Sequence, residues 1–254
     1  MHAGDGGDGY VTCVGLPRRL TLYAMPISDH FYGAVADRVS EVRERIAAAR
    51  ARGGHGQNVT LVAVTKSHGP EAVEAAYRAG VEDVGENRVQ EAEAKMADTG
   101  VPVRWHLIGH LQRNKARAAT RFALVHSMDS ERLAMALAEA AAAANTVLDV
   151  LLQVNISGEA TKSGISEREV PALADRLLSL QSLRVVGAMT MAPLEASEGE
   201  LRRVFAGARR VRDVLAGAGH PATGLSMGMS GDFEIAVEEG ATFVRLGTVL
   251  FGSQ

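Results

Sequence analysis

The chain has 254 residues, 46% of them hydrophobic, and a formal net charge of −3 at pH 7. This charge offers no excess of cations for the phosphates of a nucleic acid, and no stretch approaches the ~20 apolar residues of a membrane-spanning helix. Cys13 is the single cysteine, which excludes an internal disulfide and a cysteine-rich metal site and favours a cytoplasmic protein.

The chain divides into a short leader and one large domain. Residues 1–27 are glycine-rich and irregular, which predicts a disordered leader. Residues 28–254 are predicted to form a single domain that begins with a helix over 28–51.

Eight short runs of β-branched and apolar residues alternate with segments of helical spacing. The predicted strands are 59–66, 81–87, 103–110, 122–129, 147–157, 183–193, 223–230 and 242–252. The predicted helices between them are 70–79, 88–98, 113–121, 130–144, 166–180, 197–217 and 231–239. Eight consecutive βα units predict a single (β/α)8 barrel. The alternative is a doubly wound open sheet, but the first strand is followed by TKSHGPEA and not by a Gly-x-Gly-x-x-Gly turn.

A lysine closes the first predicted strand, in LVAVTKSHG at 61–69. The working face of a (β/α)8 barrel is the C-terminal end of its strands, so Lys66 is placed on that face. Most strand-end lysines extend into water. A partly buried lysine instead favours its neutral amine, which forms a Schiff base with a carbonyl-bearing ligand.

The turn after the seventh predicted strand is typical of an anion site. Its small residues, Ser226, Gly228, Ser230 and Gly231, let backbone N–H groups approach a phosphate. Gly247 and Thr248 follow the eighth strand and are predicted to reach the same place. The alternative is an ordinary helix start capped by Ser230 or Asp232.

Arg245 lies two residues before Gly247 and is predicted to share its face of the strand. If that face is the barrel mouth, the guanidinium needs an acceptor, for which a pyridine nitrogen is suitable. The alternative is an outward arginine paired with an acid, and the sequence does not decide between them.

Other polar residues at the predicted rim have two interpretations. Glu86 and Asn87 either order the lysine or a ligand, or Asn87 caps the next helix with Gln90 as its partner. Lys162 is either a second cation at the site or a solvated side chain. His106 and His110 have the spacing of helical zinc ligands, but in a strand they are about 13 Å apart, so no metal site is predicted.

Seven stretches resemble the pyridoxal phosphate homeostasis proteins, from about residue 32 onwards. They are LVAVTK, GENRVQE, WHLIGHLQRNK, VHSMDS, VLLQVNISGEATKSG, MTMAP and LSMGMSGDFEIAVEEGATFVRLGTVLFG. The resemblance implies a barrel like the alanine racemase N-terminal domain (fold type III), with pyridoxal 5′-phosphate (PLP) bound as an aldimine. The residues that it assigns to the cofactor are Lys66, Asn87, Ser226, Met227, Gly228, Arg245, Gly247 and Thr248.

The function that the resemblance implies is intracellular PLP (vitamin B6) and amino-acid homeostasis. No catalytic residue is assigned, because the related racemases take a second base, a tyrosine, from a further domain that is not expected here. The alternatives are a PLP-dependent amino-acid racemase and a Schiff-base aldolase. The expected partners are PLP and PLP-dependent apo-enzymes, without nucleic acid or membrane, and the expected state is a monomer.

Overall fold

A computed structural model describes residues 29–159 and 163–252. The predicted leader, 1–27, and Lys162 lie outside the described residues. The first element is a long helix, α1 (Asp29–Gly53), which confirms the helix predicted at the start of the domain.

Eight parallel strands close into a barrel, which confirms the predicted architecture. They are β1 (Thr60–Val64), β2 (Asp83–Glu86), β3 (Arg104–Leu107), β4 (Leu124–Met128), β5 (Leu148–Asn155), β7 (Leu183–Met189), β8 (Gly224–Ser226) and β9 (Phe243–Leu246). They pair in chain order, and β1 pairs with β9 to close the ring. A two-residue strand, β6 (Ile165–Ser166), adds to β5 outside the barrel.

Helices surround this barrel because each has one apolar face that must be buried against the strands. They are α2 (Pro70–Arg78), α3 (Val89–Asp98), a 3₁₀ turn at Arg113–Lys115 with α4 (Ala116–Ala119), α5 (Glu131–Ala143), α6 (Val170–Leu177), α7 (Glu198–Gly217), α8 (Phe233–Glu238) and α9 (Thr248–Phe251). The main core lies between strands and helices. A smaller cluster of Leu124, Leu151 and Met189 fills part of the barrel interior.

α1 occupies the place in the outer ring between the helices that follow β8 and β1. It packs against α8 and α2. Ion pairs join Arg45 to Glu234 and Arg52 to Glu238 of α8, and the Tyr32 hydroxyl donates to Glu74 of α2. The helix that precedes the first strand therefore completes the ring.

The prediction of the eighth strand is wrong for its second half. It was expected over 242–252, but β9 ends at Leu246, and Thr248–Phe251 form the helical turn α9. A short apolar run is compatible with either structure, and here Gly247 ends the strand and begins the turn. No helix of the described residues combines the length and apolar character needed to cross a bilayer.

Candidate functional site

Lys66 leaves the barrel at the C-terminal end of β1, as predicted for this strand. Thr65 before it is fully buried, whereas Lys66 is exposed, so the partial burial considered for it is not observed. Ser67 has a φ of 63°, which turns the chain away from the strand. The ring of His68 then contacts Phe251 of α9, with 5.2 Å between ring centroids. The lysine turn and the end of β9 are therefore neighbours.

Glu86, at the end of β2, is fully buried beneath this turn. Its Oε1 accepts from Thr65 Oγ1 at 2.6 Å and from Lys95 Nζ at 2.5 Å, and Lys95 also donates to the Thr65 carbonyl at 2.6 Å. Within the described part of the chain, Glu86 Oε2 has no hydrogen-bond partner. The glutamate thus orders the backbone before Lys66, and one oxygen is left for a further donor.

Asn87 is half-buried at the rim next to β2. The capping alternative is wrong, because the N-cap of α3 is Arg88 and no side chain caps this helix. The loop after β3 comes close to Asn87: a Cβ on Gly109 would lie 2.3 Å from the Asn87 carbonyl oxygen. Glycine at 109 permits this approach, and Asn87 remains at the mouth.

The turn after β8 is tightly packed against the helix that follows it. Gly228 has a φ of +94°, and a Cβ there would lie 2.7 Å from Ala236 Cβ. Met227 is fully buried, and its N–H donates to the Phe243 carbonyl. Asp232 is the N-cap residue of α8, but its carboxylate does not cap the helix; it accepts from the Met229 N–H at 2.6 Å. The alternative of a side-chain cap by Asp232 is therefore wrong, and the carboxylate shapes the turn instead.

Gly247 and Thr248 bring the end of β9 to the same rim. A Cβ on Gly247 would lie 3.2 Å from the Val64 carbonyl oxygen of β1, and Thr248 is exposed. The Val249 N–H contacts Ser230 Oγ at 3.4 Å, which links this turn to the turn after β8. The two predicted anion-binding turns therefore adjoin each other and the end of the lysine strand.

Arg245 points into the barrel, not outward towards an acid. Its Nη1 donates to Ser226 Oγ at 2.5 Å and its Nη2 to the Thr190 carbonyl at 3.1 Å. Among the described residues no carboxylate forms an ion pair with Arg245. The negative charge of Asp232 nevertheless raises the pKa of Arg245 from a distance. Burial lowers the pKa of Arg245 to about 10, so the guanidinium is charged at neutral pH. Burial also raises the pKa of Asp232, against its hydrogen bond from Met229 and the charge of Arg245.

Behind Arg245 lies a set of buried polar residues that sequence reasoning missed. Asp83 accepts from Arg104 through both oxygens, at 2.8 and 2.6 Å, and contacts His106 Nε2 at 2.8 Å. His106 Nδ1 lies 2.9 Å from His126 Nε2, and His126 Nδ1 lies 2.7 Å from Ser226 Oγ. The sequence signal was a histidine inside each of two apolar strands.

His106 and His110 are in different surroundings. His106 is 3% exposed inside the barrel, whereas His110 is exposed and pairs with Asp129 at 3.2 Å. The two imidazoles therefore do not share a ligand. Among the described residues, no group of three or more histidine, cysteine or acidic side chains is arranged to hold a metal ion.

Comparisons with known proteins agree with this arrangement. The family model of the alanine racemase N-terminal domain matches residues 38–254. A pyridoxal phosphate homeostasis protein from Pseudomonas aeruginosa is 42% identical over 223 residues, which cover 87% of this chain and 96% of the relative. This chain belongs to the pyridoxal phosphate homeostasis protein family.

Solved structures of this family have the same fold. PipY from Synechococcus elongatus, solved without PLP, is 38% identical and superimposes with a TM-score of 0.78 over 86% of this chain and 100% of PipY. PipY solved with PLP bound is 37% identical, with a TM-score of 0.77 and the same coverage. Alanine racemase from Corynebacterium glutamicum, at 19% identity and a TM-score of 0.69, shares the fold over 88% of this chain and 62% of the racemase.

Proposed function

We propose that this chain binds PLP at the C-terminal end of the barrel, holds it on Lys66 as an imine, and contributes to intracellular PLP and amino-acid homeostasis. The observation that carries the proposal is that β1 and β9 are paired neighbours. Lys66 follows β1, while β9 carries Arg245 and leads into Gly247 and Thr248. A nucleophilic amine, a buried cation and a glycine turn therefore meet at one rim.

The residues at this rim fit the functional groups of PLP. A Cβ at Gly228 would crowd the following helix, and a Cβ at Gly247 would crowd β1, so glycine keeps both turns compact. Backbone N–H groups of glycine turns can also approach a phosphate closely. Glu86 Oε2 and Ser127 Oγ are buried and have no partner among residues 29–159 and 163–252, and Arg245 is a buried cation. We assign Lys66 to the aldehyde, Arg245 to the ring nitrogen, and Asn87 to the edge of the ring. The turns formed by 226–228 and 247–248 are assigned to the phosphate.

We propose that the chain stores the cofactor without turning over an amino acid. PLP supplies a reactive aldehyde and a ring that withdraws electrons best when its nitrogen is protonated. The Arg245 guanidinium only donates hydrogen bonds, so it holds that nitrogen unprotonated and weakens electron withdrawal.

The described tyrosines give no support to a racemase base at the mouth. Tyr32 and Tyr77 lie on α1 and α2, in the outer ring. Burial and its neighbour Glu74 raise the pKa of Tyr32, so its hydroxyl is a poor base at neutral pH. Tyr10 and Tyr23 lie outside the described residues.

We infer further that the chain is a cytoplasmic monomer that hands PLP to apo-enzymes. A donor must release its ligand, and an exposed Lys66 is accessible to a competing amine. Two measurements test this inference: sedimentation velocity for the monomer, and reactivation of a PLP-dependent apo-enzyme by the loaded protein. A dimer, or reactivation no faster than with free PLP at the same free concentration, would contradict it.

The experiment that tests the site compares the wild type with two lysine variants, Lys66→Ala and Lys115→Ala. Lys115 is also exposed but lies in the 3₁₀ turn before α4, so it serves as the matched control. Each protein is mixed with PLP, reduced with borohydride and digested for mass spectrometry. We expect PLP fixed on Lys66 in the wild type and in Lys115→Ala, and no fixation at the site in Lys66→Ala.

Two outcomes would overturn parts of the proposal. Equal labelling of the wild type and Lys66→Ala would reject Lys66 as the attachment point. Racemisation of an amino acid faster than with free PLP, lost in Lys66→Ala, would replace the storage function by a racemase.

A further inference from the structure

A continuous series of buried polar groups crosses the barrel interior. We call Asp83, His106, His126, Ser226 and Arg245 the polar chain. Each is at most 6% exposed, and successive members lie 2.5–2.9 Å apart. β4 and β8 are not neighbours in the barrel, so the contact between His126 and Ser226 is made through its interior. The polar chain connects the first residue of β2, through the last residue of β8, with Arg245 of β9.

The Asp83 carboxylate fixes one end of the polar chain. A carboxylate only accepts hydrogen bonds, so His106 must donate to it through Nε2–H. A neutral His106 then has a lone pair on Nδ1, and His126 must donate to it through its own Nε2–H. His126 Nδ1 is thereby an acceptor, and the Ser226 hydroxyl donates to it. Every hydrogen in this arrangement has one defined position.

The Ser226 oxygen receives the last donor of the chain, which is Arg245 Nη1. Arg245 also donates through Nη2 to the Thr190 carbonyl. A guanidinium has five N–H groups, so three remain after these two bonds. Ser226 has then used its only hydrogen, and Arg245 is the member of the chain with donors left for a ligand.

Protonation of His106 would reverse this direction. With hydrogens on both nitrogens, His106 would donate to His126, His126 would donate to Ser226, and the hydroxyl would be free to donate to a ligand. The Asp83 carboxylate already accepts from the Arg104 guanidinium through both oxygens, and Arg245 is a buried cation at the other end of the polar chain. Burial and the charge of Arg245 hold the pKa of His126 well below its usual value.

We propose that His106 and His126 are positioning residues of the site, which keep both imidazoles neutral, direct the Ser226 hydroxyl away from the mouth and leave Arg245 as the donor to the ligand nitrogen. This inference rests on the proposed function, because the ligand nitrogen is that of PLP. It adds Asp83, His106 and His126 to the residues that set the protonation of the bound ring.

The direct test is carried out on the protein without PLP. Histidine labelled with ¹⁵N is incorporated, and long-range ¹H–¹⁵N spectra are recorded at pH 7.5, with single His106→Gln and His126→Gln variants used only for assignment. We expect both rings to be neutral with the hydrogen on Nε2. A hydrogen on Nδ1 of His126, or a cationic ring at either position, would overturn the proposal.

The second test compares Asp83→Asn with Asp149→Asn. Asp149 of β5 pairs with Arg184 of β7 through both oxygens, at 2.5 and 2.7 Å, as Asp83 pairs with Arg104, but no histidine contact accompanies it among the described residues. An asparagine at 83 both donates and accepts, so the direction of the polar chain is no longer fixed. We expect PLP affinity to fall about tenfold in Asp83→Asn and to change less than about twofold in Asp149→Asn.

The same variants give a spectroscopic signature in the protein without PLP. Asp83→Asn should give a second set of His126 resonances with the hydrogen on Nδ1, whereas Asp149→Asn should give the wild-type spectrum. Equal affinities and equal spectra of the two variants would contradict a positioning role.

The outcomes for this inference and for the proposed function are separable. If the tautomers are as expected but PLP is not fixed on Lys66, the proposed function fails and the direction of the polar chain stands. If PLP is fixed on Lys66 but the histidine tautomers differ from those expected, the inferred direction of the hydrogen bonds is wrong and the proposed function stands.

Discussion

Lys95 and Glu86 form a buried ion pair whose energetics differ from those of the surface pairs. Their side chains are 8% and 0% exposed, and the ammonium also donates to the Thr65 carbonyl. Two charges removed from water lose their hydration, and only mutual contact and hydrogen bonds offset that loss. Each partner therefore stabilises the fold chiefly by compensating the buried charge of the other.

Removing the lysine alone should be strongly destabilising. Lys95→Met leaves Glu86 as a buried, uncompensated charge, and we expect the free energy of unfolding to fall by about 3–5 kcal/mol. Urea denaturation measures this change. The control is Arg121→Met, since Arg121 and Glu93 form a pair whose side chains are 53% and 38% exposed. That change should cost only about 0–1 kcal/mol. Equal losses in the two variants would contradict this account.

The ionisation of Asp83 makes the folding stability depend on pH. Burial alone would raise its pKa, but hydrogen bonds from His106 and Arg104, together with the charge of Arg104, outweigh burial and lower the pKa to about 2. A carboxyl whose pKa is lower in the folded state stabilises the protein above its ordinary pKa, near 4. This stability is lost as the pH falls through about 2.

We expect Asp83 to contribute about 2 kcal/mol above pH 4, and this contribution should disappear between pH 4 and pH 2. Urea unfolding of the wild type and of Asp83→Asn over that pH range measures it, because the asparagine does not titrate. The difference between the two proteins should shrink as the pH falls. A constant difference down to pH 2 would show that the carboxyl keeps its ordinary pKa.

The sequence predicted positions along one strand better than contacts across the barrel. The end of β1 placed Lys66 at the rim, where it is observed, whereas the alternation of β9 left both orientations of Arg245 open. The partners of Arg245 could not be found in this way, because Ser226 and His126 are 100 residues apart and meet only when the barrel closes. The exposure of Lys66 depends on a local backbone turn at Ser67 that has no sequence signal of its own.

At the scale of elements, the contact between β7 and β8 depends on glycine. Gly187 lies at a shift in the register between β5 and β7, and a Cβ there would be 1.9 Å from the carbonyl oxygen of Gly224 in β8. An alanine at this position would force the two strands apart. Glycine here permits two neighbouring barrel strands to approach each other closely.

Gly187→Ala and Gly33→Ala should therefore change stability in opposite directions. We expect Gly187→Ala to lower the free energy of unfolding by at least about 1–3 kcal/mol, because the backbone of β7 or β8 must move to make room for the Cβ. Gly33 lies inside α1 with open space around its Cβ position. Gly33→Ala should raise stability by about 0.5–1 kcal/mol through helix propensity. Thermal unfolding measures both, and stabilisation by Gly187→Ala would refute the packing argument.

Element order was predictable from the sequence, but element ends were not. Alternating apolar runs and helical segments gave all eight barrel strands, because each unit must bury its own apolar face. The end of β9 was missed because the apolar residues 249–251 belong to the short helix α9. The side-chain caps considered for α3 and α8 are wrong, because α3 begins one residue later, with Arg88 at its N-cap, and the Asp232 carboxylate accepts from the Met229 N–H instead.

At the scale of the whole molecule, ligand binding and folding stability are linked. A ligand that binds only the folded state stabilises it by mass action, by about 2.7 kcal/mol at a free concentration 100 times its Kd. If the turns at Gly228 and Gly247 hold the phosphate, pyridoxal without its phosphate should stabilise the protein much less than PLP at the same concentration. Urea midpoints with each compound test this. Equal stabilisation by both would reject the phosphate assignment.

The neighbouring positions of β1 and β9 have a consequence for synthesis. The ribosome delivers Lys66 early, whereas Arg245 and Gly247 emerge about 180 residues later. An incomplete chain therefore carries the reactive amine but not the cation or the second turn of the proposed site. If the proposed site holds the cofactor, its capture is confined to chains whose last barrel strand has been translated and paired with the first.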